Sequence, residues 1–234
     1  MKNSIHFLIL ILVSAQANAQ RNGRNYPYFE YKDFHFGTML GITISDFNYQ
    51  LNNASTSKTE ISNITIEQGP GMGIHIPVVS WNPHPVYNVR LVPSLSFHET
   101  AFTYQYIENG KQNSKTTRNE RTLLNFPLLM KFNTRRLTNF SAYAITGFCY
   151  SYDLASQKDV LPVVNNPIIR LKEHEFTYQV GGGFDFYLPY FKFGIDIKLS
   201  NGINDLLIHD QTFFSDPLRS LRSQTWWFSI TFEG

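Results

Sequence analysis

Residues 176–199 read Phe-Thr-Tyr-Gln-Val-Gly-Gly-Gly-Phe-Asp-Phe-Tyr-Leu-Pro-Tyr-Phe-Lys-Phe-Gly-Ile-Asp-Ile-Lys-Leu, and their reading decides the fold. A strand has a period of two, so each half of this stretch owns two faces. One face carries Phe176, Tyr178, Val180, Phe184, Phe186 and Leu188, then Phe191, Phe193, Ile195, Ile197 and Leu199. The other carries Gln179, Gly181, Gly183 and Asp185, then Lys192, Gly194, Asp196 and Lys198. A soluble sheet would turn bulky residues into a core and charges into water. Here the apolar face is uninterrupted, and the opposite face mixes glycines with charges. That is the signature of lipid outside and a crowded polar lumen inside. Pro189-Tyr190 join the arms, and with Leu188 opposite Phe191 both apolar faces fall on one side.

The totals agree. The 234 residues carry 20 Lys+Arg and 18 Asp+Glu, so no basic excess exists to track a phosphate backbone, and nucleic acid is excluded as a partner. Aromatics reach 15% and charges only 16%, yet the mean hydropathy lies slightly below zero. A bundle of membrane helices would score well above zero, whereas a barrel hides half its strand residues from lipid. The lone Cys149 allows no internal disulfide. Residues 1–19 read as a secretory signal: Lys2, an apolar run at 5–13, and Ala17-Asn18-Ala19 as the cleavage site. Its removal with Lys2 leaves a net charge of about +1. Residues 20–33 read as a polar, tyrosine-rich periplasmic lead-in, and 34–234 as the barrel domain.

Segments of alternating polarity recur along that domain. The first puts Phe34, Phe36, Leu40, Ile42 and Ile44 outward, and the second Pro70, Met72, Ile74, Ile76 and Val78, closed by Trp81. The third puts Tyr87, Val89, Leu91, Leu95 and Phe97 outward; Phe102, Tyr104 and Tyr106 then suggest a parity slip near 99–101. A polar loop at 108–119 leads to the fourth, with Leu124, Phe126, Leu128, Met130 and Phe132 outward. Pro93 and Pro127 each remove a ladder bond and are read as bulge sites. The fifth segment, 140–152, has apolar residues on both parities, so its faces stay unassigned. The hairpin gives strands six and seven, and Trp226, Phe228, Ile230 and Phe232 give the eighth. Connections after odd strands are long and polar, and those after even strands are short. This predicts an all-β, eight-stranded antiparallel up-and-down transmembrane barrel with a side-chain-filled lumen in the bacterial outer membrane. Aromatic girdles are expected at Trp81, Phe132, Phe140, Tyr190 and Phe232 below, and at Tyr104, Tyr106, Tyr150, Tyr152 and Trp226 above.

A lumen of this width is filled rather than conducting, so inward charges need partners. Arg90, Lys131, Asp185, Lys192 and Asp196 are expected to form an interior ion-pair network. No cofactor, metal or small-molecule substrate is expected. The weak catalytic candidates are His209-Asp210 with Ser215, and Glu173-His174-Glu175, which lacks zinc-site spacing.

Several runs resemble the PorT family: Val-Arg-Leu-Val-Pro-Ser-Leu-Ser-Phe at 89–97, Phe-Pro-Leu-Leu-Met-Lys-Phe at 126–132 and Tyr-Asp-Leu-Ala-Ser-Gln-Lys at 152–158. The stretch 183–207, with Phe-Asp-Phe-Tyr-Leu-Pro-Tyr-Phe-Lys-Phe and Asn-Gly-Ile-Asn-Asp-Leu, resembles it most closely. The resemblance implies an outer-membrane component of the Bacteroidetes type IX secretion system, which exports proteins bearing a C-terminal signal and, in gliding species, surface adhesins. It supplies no catalytic residues. The expected partners are outer-membrane lipid and other secretion components, met through loops carrying Asp153, Ser156, Gln157, Lys158, Asn201, Asn204 and Asp205, with the tail 26–33 as a second surface. A small lipid A-modifying enzyme and a generic ligand-binding or structural barrel are the alternatives.

Overall fold

The computed structural model describes residues 23–51, 61–108, 111–156, 170–209 and 218–234. The signal segment with its cleavage site, together with Gln157, Lys158, Asp210 and Ser215, lies outside these residues. The strands are β1 (Phe34–Leu51), β2 (Ile61–Gln68), β3 (Pro70–His84), β4 (Tyr87–Leu91) and β5 (Ser94–Glu108). They continue as β6 (Lys111–Asn133), β7 (Phe140–Asp153), β8 (His174–Tyr187), β9 (Lys192–Gly202) and β10 (Leu218–Glu233). β2–β3 and β4–β5 are each one wall strand broken in two, so the ring has the expected eight staves. It closes where β1 pairs with both β10 and β3, all antiparallel.

Outward positions along the staves are large and apolar, among them Ile42, Phe97, Leu128, Phe184, Ile195 and Phe228, each more than a third exposed without lipid. The inward face is polar and tightly filled. On β8, a Cβ at Gly183 would lie 2.7 Å from the Tyr143 phenol, so only glycine lets that ring cross the lumen. The faces of β7 also resolve: Ser141, Tyr143, Ile145, Cys149 and Ser151 point inward, Phe148 outward. An apolar inner layer made both of its parities look oily.

Two expectations about register are corrected. Pro93 and Pro127 are not bulges, because β4 and β5 meet β6 in one frame (Leu91↔Leu128, Ser94↔Asn125) and β6 meets β7 through Pro127↔Cys149 without a shift. The extra residue is in β3. Three residues separate His75 from Val79, while two separate Ser94 from Leu91 across the ladder, and the frame with β1 slips at the same level, between Gly37 and Met39. A slip of one flips every later side chain, so Val78 faces the lumen, 0% exposed, instead of lipid. Further up, β5 shows no parity slip; it stays paired with β6 from Ser94↔Asn125 to Glu108↔Lys111. The expected loop at 108–119 is therefore mostly strand. Phe102 and Tyr104 sit on the inward parity, fully buried. Above the membrane the outer face meets water, so the sign of the pattern inverts while its period persists. Tyr104 thus leaves the upper girdle, where Trp226 is exposed; the Tyr106 side chain is outside those described.

Candidate functional site

The lumen is the candidate site. Among the described residues, five cations (Arg90, Arg121, Lys131, Lys192, Lys198) and five carboxylates (Asp153, Glu175, Asp185, Asp196, Glu233) are buried inside it, each at most 5% exposed. Strand parity places them there, and pairing makes them tolerable, since an unpaired buried charge costs several kcal/mol.

Nearest the periplasmic turns, Lys131 Nζ donates to Asp185 Oδ2 at 2.6 Å, and Lys192 Nζ lies 3.6 Å from the same oxygen. Lys192 also meets Glu233 Oε2 at 2.5 Å, and Arg90 completes the cluster through Glu233 Oε1. The Lys131 ammonium lies 3.5 Å from the centre of the Tyr143 ring, whose hydroxyl donates to Asp196 Oδ2 at 3.4 Å. Asp196 in turn has Lys198 at 3.9 Å. One step farther from the turns, Met39, Val78, Val92, Leu129 and Ile145 make an apolar layer with Tyr143.

Toward the outer mouth, Arg121 forks between Asp153 Oδ2 at 3.0 Å and Glu175 Oε2 at 2.9 Å, and Ser223 donates to the other oxygen of Glu175. Beside it runs a chain of directed hydrogen bonds. Ser151 Oγ donates to Asn125 Oδ1 at 2.7 Å, and Asn125 Nδ2 donates to Ser96 Oγ at 2.9 Å. The chain continues from Ser96 Oγ to His98 Nε2 at 3.0 Å and from His98 Nδ1 to Ser45 Oγ at 2.7 Å, so one ring nitrogen of the neutral imidazole donates and the other accepts.

Both mouths are covered. Below, residues 23–33 cross the opening as a strap. Phe29, 2% exposed, stacks on His35 at 3.7 Å. Arg136 anchors the strap through the carbonyls of Asn25 and Tyr26 and through Glu30 at 3.7 Å. A cavity of about 320 Å³ remains between strap and turns, reaching Asn88, Asp185 and Lys192. Above, Phe47, Phe102, Tyr104, Leu171, Leu206, Leu207, Leu218 and Leu221 form an apolar plug.

Of the expected network, Lys131, Asp185 and Lys192 come together directly. Arg90 joins them only through Glu233, and Asp196 through the Tyr143 ring. Glu233 and Lys198 were missed although simple alternation beside Phe232 and Asp196 points both inward. Arg121 was missed because it falls between the loop expected at 108–119 and the strand read from Leu124.

The loop expectation is corrected for Asp153, and two more of its residues have defined partners. Asp153 is buried on Arg121. Asn204 bonds Phe176 N at 2.8 Å and His174 O at 3.0 Å. Asp205 Oδ1 accepts from Leu207 N at 3.1 Å and Leu221 N at 2.8 Å. Asn204 and Asp205 thus staple their loop while staying half-buried, whereas Asp153 lies wholly inside. Asn201 and Ser156 are half-buried.

The catalytic candidates are dispersed. His174 bonds Tyr150 Oη at 2.8 Å and Glu173 at 3.2 Å on the outside, while Glu175 points in to Arg121. His209 lies 3.4 Å from Asp205. Among the described residues no group of three or more His, Cys, Asp or Glu is placed to hold a metal ion.

A family model for the outer membrane protein beta-barrel domain matches residues 15–207. Among solved structures, the outer membrane protein OprG from Pseudomonas aeruginosa aligns with a TM-score of 0.51 at 13% identity, over 86% of this chain and 95% of its own. The N-terminal β-barrel domain of Pseudomonas aeruginosa OprF aligns at TM-score 0.34 and 10% identity, over 85% and 99%. No curated protein matches the sequence. With most of its length inside the family model, an oily belt outside and a neutralised ionic lumen, the chain belongs to the outer membrane protein beta-barrel domain family and resides in the bacterial outer membrane.

Proposed function

We propose that this barrel is a non-enzymatic component of the type IX protein secretion system, anchoring or organising the export machinery from the outer membrane. The observation that carries the reading is the filled lumen: among the described residues, ten paired charges, a strap below and an apolar plug above occupy the bore, as the width of eight strands leads one to expect. Such a barrel acts through its surfaces, toward lipid and toward other secretion components, and the runs at 89–97, 126–132, 152–158 and 183–207 resemble PorT. The His and acid candidates for catalysis are spread over separate places, with His174 on the outer wall, Glu175 in the lumen on Arg121 and His209 beside Asp205, which favours the non-enzymatic reading.

Deleting the gene tests the proposal. Cargo with the C-terminal signal then accumulates in the periplasm, the lipid A profile stays unchanged, and a His174→Ala/His209→Ala copy restores export. Normal secretion in the deletion strain refutes the proposal and leaves a generic structural or ligand-binding barrel. Altered lipid A points to the enzyme instead. N-terminal sequencing of the mature protein, expected to begin at Gln20, checks the signal.

A further inference from the structure

The barrel wall is not closed over its full height. Among the described residues, β1 is paired with β3 only up to Ile44↔Pro70, while its pairing with β10 continues to Leu51. Among the same residues β2 is paired with β5 and with no other strand. The upper part of β1 and the whole of β2 therefore present facing backbone edges. The seam starts where the oily belt stops, above Ile44 and its cross-strand neighbour Trp226, and the next outward residues of β1 are Asp46 and Asn48, both exposed. Hydrocarbon forbids an open edge, but the water above it does not. A cavity of about 290 Å³ lies at the seam, bounded by Ile44, Ser45, Asp46, Ile66, Gln224 and Trp226.

The sequence also supplies a reason for the seam to stay open. The stretch 69–71 holds one residue more than β5 does between Met72↔Phe97 and Gln68↔Thr100, so parity flips and Glu67 faces outward while Ile66 packs on the plug. Closing the seam in the nearest register that keeps both outer faces outward sets Asp46 opposite Glu67. Like charges directly opposed disfavour pairing. Among the described residues the nearby cations do not bridge them: Arg118 is 3.4 Å from Glu99, and Arg222 sits across from Asn48.

We propose that this seam is a strand-addition site for an extended polypeptide at the cell surface. The guest's backbone pairs with the free edges of β1 and β2. Its inward side chains are apolar and meet Ile66 and Phe47, and its outward ones are basic and lie between Asp46 and Glu67. This goes beyond the secretion role and does not depend on it.

The test uses the full-length mature chain, refolded in nanodiscs of phosphatidylethanolamine and phosphatidylglycerol, with folding checked by heat-modifiable gel migration. The probe is a labelled, end-capped peptide of alternating Val and Lys, followed by anisotropy. It binds, and Asp46→Lys/Glu67→Lys weakens it by about tenfold or more. An alternating Val/Glu peptide does not bind, nor does a Val/Lys peptide whose central valines are prolines, because it lacks the N–H groups. Equal binding of the proline peptide means plain charge attraction and overturns the proposal, as does absence of binding. Displacement of the probe by dodecylphosphocholine but not by unlabelled peptide makes the seam a port for a small amphipath and also overturns it. In Asp46→Cys/Glu67→Cys, which lacks both acids, the reduced protein binds the probe more weakly than the natural chain through the strand edges alone, and oxidation abolishes that remainder; binding that survives the crosslink overturns the proposal. Where no crosslink forms, the lysine variant decides.

Discussion

The two ends of the lumen solve the same problem with opposite chemistry. The periplasmic end is ionic and richer in cations, three (Arg90, Lys131, Lys192) against two carboxylates (Asp185, Glu233). The outer end is mostly apolar and richer in acid, with Arg121 alone against Asp153 and Glu175 under a leucine-rich plug. Lys198 and Asp196 balance each other between them, so neither end is neutral alone while the lumen as a whole is. The contrast follows from what covers each end. The periplasmic cluster lies on regular strands within the oily belt, where ladder geometry fixes side-chain spacing to fit a network. The outer cluster is finished by loop residues, which reach the axis more easily with leucines than with paired charges.

Breaking the ionic end has the largest expected effect. Glu233→Ala leaves Arg90 and Lys192 with a single remaining carboxylate, and destabilisation of about 3–5 kcal/mol in urea titrations of the lipid-inserted barrel is expected. Replacing both partners, as in Arg90→Met/Glu233→Met, is expected to recover most of that loss; if it does not, the network is more than mutual neutralisation. Arg121→Met comes next, at about 3 kcal/mol. Its two stranded carboxylates sit near loops that can shift to admit water, which holds its effect below that of Glu233→Ala. A reversed ranking would remove the distinction between the ends. Asp205→Ala strips the acceptor from one loop N–H (Leu207) and one β10 N–H (Leu221), worth about 1–3 kcal/mol locally. It should show as faster protease cleavage at Lys172 while the gel shift of the folded barrel is retained. The smallest effect is expected from Phe29→Ala. The strap detaches, trypsin cuts sooner at Lys32, and the unfolding midpoint hardly moves, because strap opening is a local event.

The sequence is most transparent where lipid touches the wall. Phe184, Ile195 and Phe228 look outward because acyl chains select for size and oiliness at every second residue. Lys131, Asp185 and Lys192 could be picked out from the other parity. Legibility fails wherever the environment changes without a change of period. Phe102 and Tyr104 are as oily as any lipid-facing pair, and only their height above the belt turns them inward. The slip at Val78 was hidden because Pro77 looks no different from Pro93 and Pro127, which stay in frame. Arg121, with its partners on β7 and β8, could not be paired from sequence, because adjacency in the ring is set by tilt and register. Asp153, Asn204 and Asp205 look like exposed loop polars until their backbone partners are seen.

Glu233 belongs to β10, the stave that meets β1 to complete the cylinder. Without that stave, Arg90 and Lys192 would face an interior with a positive surplus, so the strand that makes the wall circular is also the one that makes its contents neutral.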